Sequence, residues 1–233
     1  MADHPVEVQC AGRTDAGVHA IQQIVHFDTL ANRNMRSWVL GANTLLPPDV
    51  NLLWAKLVSD DFSSRFSATS RHYKYLILNR PVRSALGRRL LSYERRPLDT
   101  SRMMAAAVFL KGEHDFTSYR AVSCQSKTPV REVSRLSIER REDLVIIDIE
   151  ANAFLHHMVR NIAGVLMCIG TGEQPPEWSK QVLEARDRTL GGMTAPPDGL
   201  YLINAHYPAH LDIPVASADL PILRQFGILY RSF

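Results

Sequence analysis

The stretch "QCAGRTDAGVHA" (residues 9–20) places a single carboxylate, Asp15, two residues after Arg13 and two before Gly17. It follows the alternating run "VEVQC" (residues 6–10) and precedes "VHAIQQIVHFD" (residues 18–28), so it reads as a loop between two extended segments. Thr-Asp-Ala-Gly is good turn chemistry, and an aspartate that bonds its own backbone is the simplest account of it. A second account is chemical. An aspartate nucleophile has to be ionised, a neighbouring guanidinium favours that form, and a tyrosine ring can stack on a planar base. Arg160 and Tyr73 supply those types, although a helix-surface charge and a core ring explain them equally well. Spacing along the chain does not show that the three converge.

Outward from that loop, "RNMRSWVLGANTLL" (residues 33–46) has helical spacing and is stopped by Pro47 and Pro48. "VNLLWAKLV" (residues 50–58) reads as a strand, and "SRHYKYLILN" (residues 70–79) as another, with Tyr73 and Tyr75 on one face and His72 and Lys74 on the other. "LDTSRMMAAAVFLKGEHDF" (residues 98–116) carries a cap at Asp99 or Thr100, an apolar helical body and a stop at Lys111-Gly112. "VREVSRLSIERR" (residues 130–141) and "DLVIIDIEANAF" (residues 143–154) alternate and are joined so tightly that they form an antiparallel hairpin. Helices over residues 155–170 and 176–187 and a strand over 199–207 complete the set. Hairpin-paired strands with helices between the groups indicate an α+β fold. The order suggests two related units, 1–62 and 63–233, of which the first is small for a core of its own.

The 233 residues are 45% hydrophobic and 22% charged, with a formal charge of +3. That is the composition of a globular chain, and the basic excess permits an RNA partner without requiring one. Arginines gather in "RSALGRRLLSYERR" (residues 83–96) and "KTPVREVSRLSIERR" (residues 127–141), either as a solvated face or as a phosphate track. The 3 cysteines are scattered, which fits a reducing cytoplasm, and neither a membrane-spanning run nor a signal peptide is present. Nucleotide-binding G-x-G-x-x-G and Walker motifs, H-E-x-x-H and G-x-S-x-G are absent. His156 and His157 are adjacent, so from a helix they are not expected to face one metal, and no cysteine lies at ligand spacing. No metal site is expected.

The loop "CAGRTDAGVHA" closely resembles the signature loop of the A-type tRNA pseudouridine synthases, and four further blocks resemble that family in its order. They are "FSSRFSATSRHYKYLILN" (62–79), "GEHDFTSYRAVSCQSKTPVREV" (112–133), "IEANAFLHHMVRNIAGVLMCIG" (149–170) and "GLYLINAHYP" (199–208). The resemblance covers residues 5–208 and implies the pseudouridine synthase fold, two units of mostly antiparallel sheet with helices about a cleft. It implies isomerisation of uridine to pseudouridine at positions 38, 39 and 40 of the tRNA anticodon arm, without cofactor or metal. By it Asp15 is nucleophile or base, Arg160 pairs with it, and Tyr73 stacks on the target uracil and helps remove the C5 proton. Leu200 becomes an apolar wall, and Arg13 fills the space left by the everted base or holds the backbone. Arg33, Arg65 and Lys127 match tRNA-contacting positions, and a homodimer with one tRNA touching both subunits is implied.

The family's chains carry a first strand, with a Tyr-Asp-Gly…Gly-Trp-Gln pattern, and then a helix ahead of the position of Met1. Without them the first unit is expected to leave backbone unpaired and apolar surface exposed, giving a weakly stable or poorly active polypeptide. Two other readings follow from that expectation and from the lone acid: a non-catalytic tRNA-binding or RNA-folding protein, and a glycosidase, which needs a second carboxylate near Asp15. The tail from residue 218 onward is expected to pack on the body.

Overall fold

The computed structural model describes residues 1–215; the tail expectation lies outside them. The alternation of residues 70–79 forms β4 (Ser70–Asn79), the strand around which the rest is arranged. β4 pairs antiparallel with β8 (Leu144–Ala151) on one side and with β9 (Leu200–His206) on the other. β7 (Val130–Arg141) joins β8 as the expected hairpin, and β6 (Gly112–Asp115) adds to β7. Two short strands complete this seven-stranded sheet: β5 (Ser92–Glu94), parallel to the end of β4, and β2 (His19–Ala20), parallel to β9. β1 (Gln9–Cys10) and β3 (Val25–His26) form a separate two-stranded sheet. The architecture is α+β with one large mixed sheet.

Period-two burial divides the sheet's faces. Tyr73, Tyr75 and Ile77 of β4 and Val145, Ile147 and Ile149 of β8 point to the main core. There they pack under α2 (Thr100–Ala107), α3 (Met158–Gly170) and α4 (Trp178–Ala185). On the opposite face Leu76, Leu78, Ile146, Tyr201 and Ile203 form a smaller cluster, beside which His72, Lys74 and Arg135 share Asp148. A carboxylate ringed by three cationic or hydrogen-bonding groups keeps that face polar without leaving a lone buried charge.

Several expectations are corrected. Residues 50–58 form no strand, because they find no neighbouring strand and present Leu53 and Leu57 to solvent; only Trp54 and Val58 join a small cluster around Phe62. The expected helix over 33–46 is the shorter α1 (Met35–Asn43), capped by the Asn34 side chain on the Ser37 amide. The helix over 98–116 ends at Ala107, continues as one 3₁₀ turn, and gives way to β6. The helix expected from residue 155 starts at Met158, a shift with consequences for the site.

Candidate active site

The loop carrying Asp15 leaves β1 and returns to the main sheet at β2, so the acid is delivered to the edge of that sheet. Gly17 holds φ +83°, and a Cβ there would lie 3.1 Å from the Pro197 ring, so glycine lets the loop seat against the turn before β9 without backbone strain or crowding. Arg160 reaches the acid from the first turn of α3: its Nη1 donates to Asp15 Oδ2 at 2.8 Å, and its Nε donates to the Ala195 carbonyl at 2.8 Å. A guanidinium held at two points is pre-oriented, which raises the worth of the ion pair above that of a free surface pair.

The Ala195 carbonyl is itself fixed. Residues 191–195 lie on α3 at Gly164, where a Cβ would collide with the Met193 carbonyl. Thr194 donates to Asn161 Oδ1 at 2.7 Å, and Arg188 donates to the same oxygen at 3.0 Å.

Two further side chains meet the acid. His157 Nε2 lies 3.1 Å from Asp15 Oδ2 and His156 Nε2 lies 3.3 Å from Oδ1. This corrects the expectation that the adjacent histidines, read as part of a helix, do not both face one metal: the helical premise fails. The pair precedes the helix, and His157 sits in the left-handed region at φ 61°, which turns both rings to the same side with centroids 4.0 Å apart. A non-glycine residue there carries strain of roughly 1–2 kcal/mol. Burial lowers the His157 imidazole below its usual value against the opposing pull of Asp15, so near neutral pH it is the uncharged form that faces the carboxylate. The three ligand atoms lie within 4.8 Å of one another, a donor set of the kind that holds a transition metal. Here the Arg160 guanidinium already supplies the positive charge at Oδ2 that a metal would bring.

Tyr73 is buried with its ring edge-to-face on Phe154 at 5.0 Å, and its hydroxyl lies 3.6 Å from where a Cβ of Gly12 would sit. It therefore lies beneath the loop that carries Asp15. Burial pushes its phenol up to about 12, with Asp15 pushing the same way and Arg71 opposing. At neutral pH it is a hydroxyl donor. Leu200 is buried in the same core cluster as Tyr73, just past the 197–198 turn against which Gly17 rests.

The other sequence candidates are spread more widely. Arg13 is exposed on the loop itself. Arg65 is exposed and stacks on Phe66 at 5.3 Å. Lys127 is exposed on the loop that Ser123 ties to His156 at 3.2 Å. Arg33 is engaged with the N-terminal segment, through the Met1 carbonyl at 2.7 Å and Asp3 at 2.6 Å.

Residues 106–208 match the family described as tRNA pseudouridine synthase. A tRNA pseudouridine synthase A of Nitrosococcus oceani is 54% identical over 222 residues, covering 95% of this chain and 86% of that protein. The chain belongs to the tRNA pseudouridine synthase A family. The proteins of that name from Methylococcus capsulatus and Coxiella burnetii are 56% and 52% identical, covering 89% and 92% of this chain and 77% and 82% of their own lengths. Among the described residues of this pseudouridine synthase family member, no helix is long and apolar enough to cross a membrane.

Proposed function

We propose that this chain isomerises uridine to pseudouridine in the anticodon arm of tRNA, at positions 38, 39 and 40. The observation that carries the reading is the Asp15–Arg160 pair at 2.8 Å, in a chain of this family, with Tyr73 beneath the same loop. In the reaction the N1–C1′ bond breaks, the uracil turns, C5 bonds to C1′, the C5 proton leaves and N1 gains one. No atom is added, and no oxidant or energy source is needed.

Asp15 acts on the sugar or the base as nucleophile or base, and Arg160 holds its carboxylate in place through the 2.8 Å hydrogen bond, in a site from which the substrate excludes water. Tyr73 and Leu200 line the place of the everted uracil, whose removal from the stack costs a few kcal/mol. Because the phenol of Tyr73 is held protonated, it takes the C5 proton only as a relay, its own proton passing out to solvent as the other arrives. Arg13 occupies the vacated space in the RNA, and Arg33, Arg65 and Lys127 grip phosphates. Shape more than sequence selects the arm.

The division of labour follows chain order, with residues 1–62 supplying Asp15, Arg13 and Arg33, and 63–233 supplying Tyr73, Arg160, Leu200, Arg65 and Lys127. Two copies act together on one tRNA in the cytoplasm, where the free cysteines Cys10, Cys124 and Cys168 are stable. Incubation with unmodified tRNA, followed by chemical mapping of pseudouridine, tests the reading: modification at 38–40 supports it. Tight binding of tRNA with no modified uridine would favour the alternative, an RNA-binding or RNA-folding protein.

A further inference from the structure

Arg71 lies two residues before Tyr73 on β4, projects to the same face, and is 8% exposed. Each hydrogen bond its guanidinium makes goes to a backbone carbonyl. Nε and Nη2 donate to Ala11 at 3.3 and 3.1 Å, Nη1 donates to Ala68 and to Asn152, each at 3.0 Å, and Nη2 also donates to Arg65. Among the described residues no carboxylate pairs with it. Burial works against its charge, and a buried cation without a counter-ion costs several kcal/mol unless its hydrogen bonds are filled. The fold keeps it nonetheless, and the four carbonyls show where it acts.

Ala11 is four residues before Asp15 and adjoins Gly12, which rests over the Tyr73 hydroxyl. Arg65 and Ala68 bound the turn that presents the exposed Phe66 and its stacked guanidinium. Asn152 opens the turn that carries Phe154, packed on Tyr73, and then His156 and His157, both on Asp15. One planar fork thus joins the three loops that border the site.

We propose that Arg71 is a positioning residue for the isomerisation: through the Ala11 carbonyl it sets the depth of the Asp15 loop, and through Arg65, Ala68 and Asn152 it holds the two neighbouring turns in the same frame. It touches no reacting atom. A lysine keeps the charge but offers a single point where the fork offers three directions, so it cannot hold all four carbonyls. Misplacement of a catalytic group by about 1 Å can cost on the order of 10²-fold in rate.

The inference rests on the function proposed above, and its test separates the two. Arg140 is the control. It is a second guanidinium that bonds a carbonyl, Leu98 at 2.8 Å, together with the Asn79 side chain at 2.7 Å, at the opposite end of β4. Arg71→Lys and Arg140→Lys are compared by thermal midpoint, by kcat and KM for tRNA, and by amide exchange of residues 11–18 in the substrate-free protein. Arg71→Lys is expected to lower kcat about 10²-fold with KM little changed and to speed exchange in the loop. Arg140→Lys is expected to leave kcat and loop exchange as they were, whatever it does to the midpoint. Millimolar guanidinium should restore part of the kcat of Arg71→Ala; if that variant does not fold, Arg71→Lys carries the test. Equal kcat losses in the two lysine variants, a loss confined to KM, or unaltered loop exchange in Arg71→Lys would overturn the assignment. Faster loop exchange in Arg71→Lys, in a chain whose unsubstituted form modifies no tRNA, would contradict the function and leave the clamp standing.

Discussion

Residues 1–69 and residues 70–207 are built in opposite ways. The first stretch contains three strands of two residues each and one nine-residue helix, and it shows solvent large apolar side chains such as Leu30, Leu40, Leu53 and Leu57. The second holds β4 to β9 under three helices, with Tyr75, Leu76, Ile77, Leu136, Ile162 and Ile169 fully enclosed. Yet the acid comes from the first stretch, while everything that meets it comes from the second: Arg160, His156 and His157 at the start of α3, and Tyr73 from β4. The difference teaches how the site is divided. A rigid sheet and helix hold the polar groups that must not move, and a loop with few contacts of its own is pinned to them at Gly12, Asp15 and Gly17.

That contrast can be broken or sharpened by substitution. Arg160→Met removes the guanidinium that ties the two regions together at Asp15 and leaves the acid facing only the two imidazoles. A loss of roughly 10³-fold in single-turnover rate is expected, with tRNA affinity nearly kept, because an interaction aimed at the reacting charge is lost and not a phosphate contact. Gly164→Ala acts inside the body. Its Cβ meets the Met193 carbonyl, so a destabilisation of about 1–3 kcal/mol should be seen in urea melts, together with a fall in rate as the Ala195 carbonyl shifts under Arg160.

A smaller effect tests the body's ion pairs by pH. Hydrogen bonds from Arg96 hold the Glu94 carboxyl below its ordinary range. A carboxylate depressed in the folded state contributes stability above its unfolded value of about 4.3 and loses it as pH falls through the folded value. The difference in Tm between the unsubstituted chain and Glu94→Gln should therefore be full at pH 7 and shrink once pH drops below about 4. The smallest effects belong to the first region. Leu57→Ser, at a side chain 83% exposed, is expected to change stability by no more than about 0.5 kcal/mol in the same melts. A large loss there would mean that this region is packed more tightly in solution than its surface implies.

How much of this was legible in the residues follows from the same contrast. β4 was readable to the residue, and the β7–β8 hairpin and α3 nearly so, because long elements buried on one face print their period on the chain. β5 and β6, at three and four residues, are too short to carry a period. Residues 50–58 carried an apolar pattern with no partner strand to use it, and pairing is a tertiary fact. At the site, Asp15 and Arg160 were nameable from family resemblance, but their 2.8 Å approach spans 145 residues of chain. The histidine pair was missed for a specific reason. On a helix, neighbouring side chains diverge by about 100°, and the left-handed turn at His157 that brings them together leaves no mark in "LHHMVR". Arg71 was equally silent, since a buried guanidinium bonded to carbonyls looks in sequence like any strand arginine.

The central claim is that one carboxylate, carried on a loop and held by a distant guanidinium, does the chemistry. The most direct measurement is release of tritium from tRNA labelled at uridine C5, comparing the unsubstituted chain with Asp15→Asn at matched tRNA occupancy. The account predicts steady release by the first and none above background by the second, with binding of tRNA unchanged. Release that persists in Asp15→Asn would contradict it.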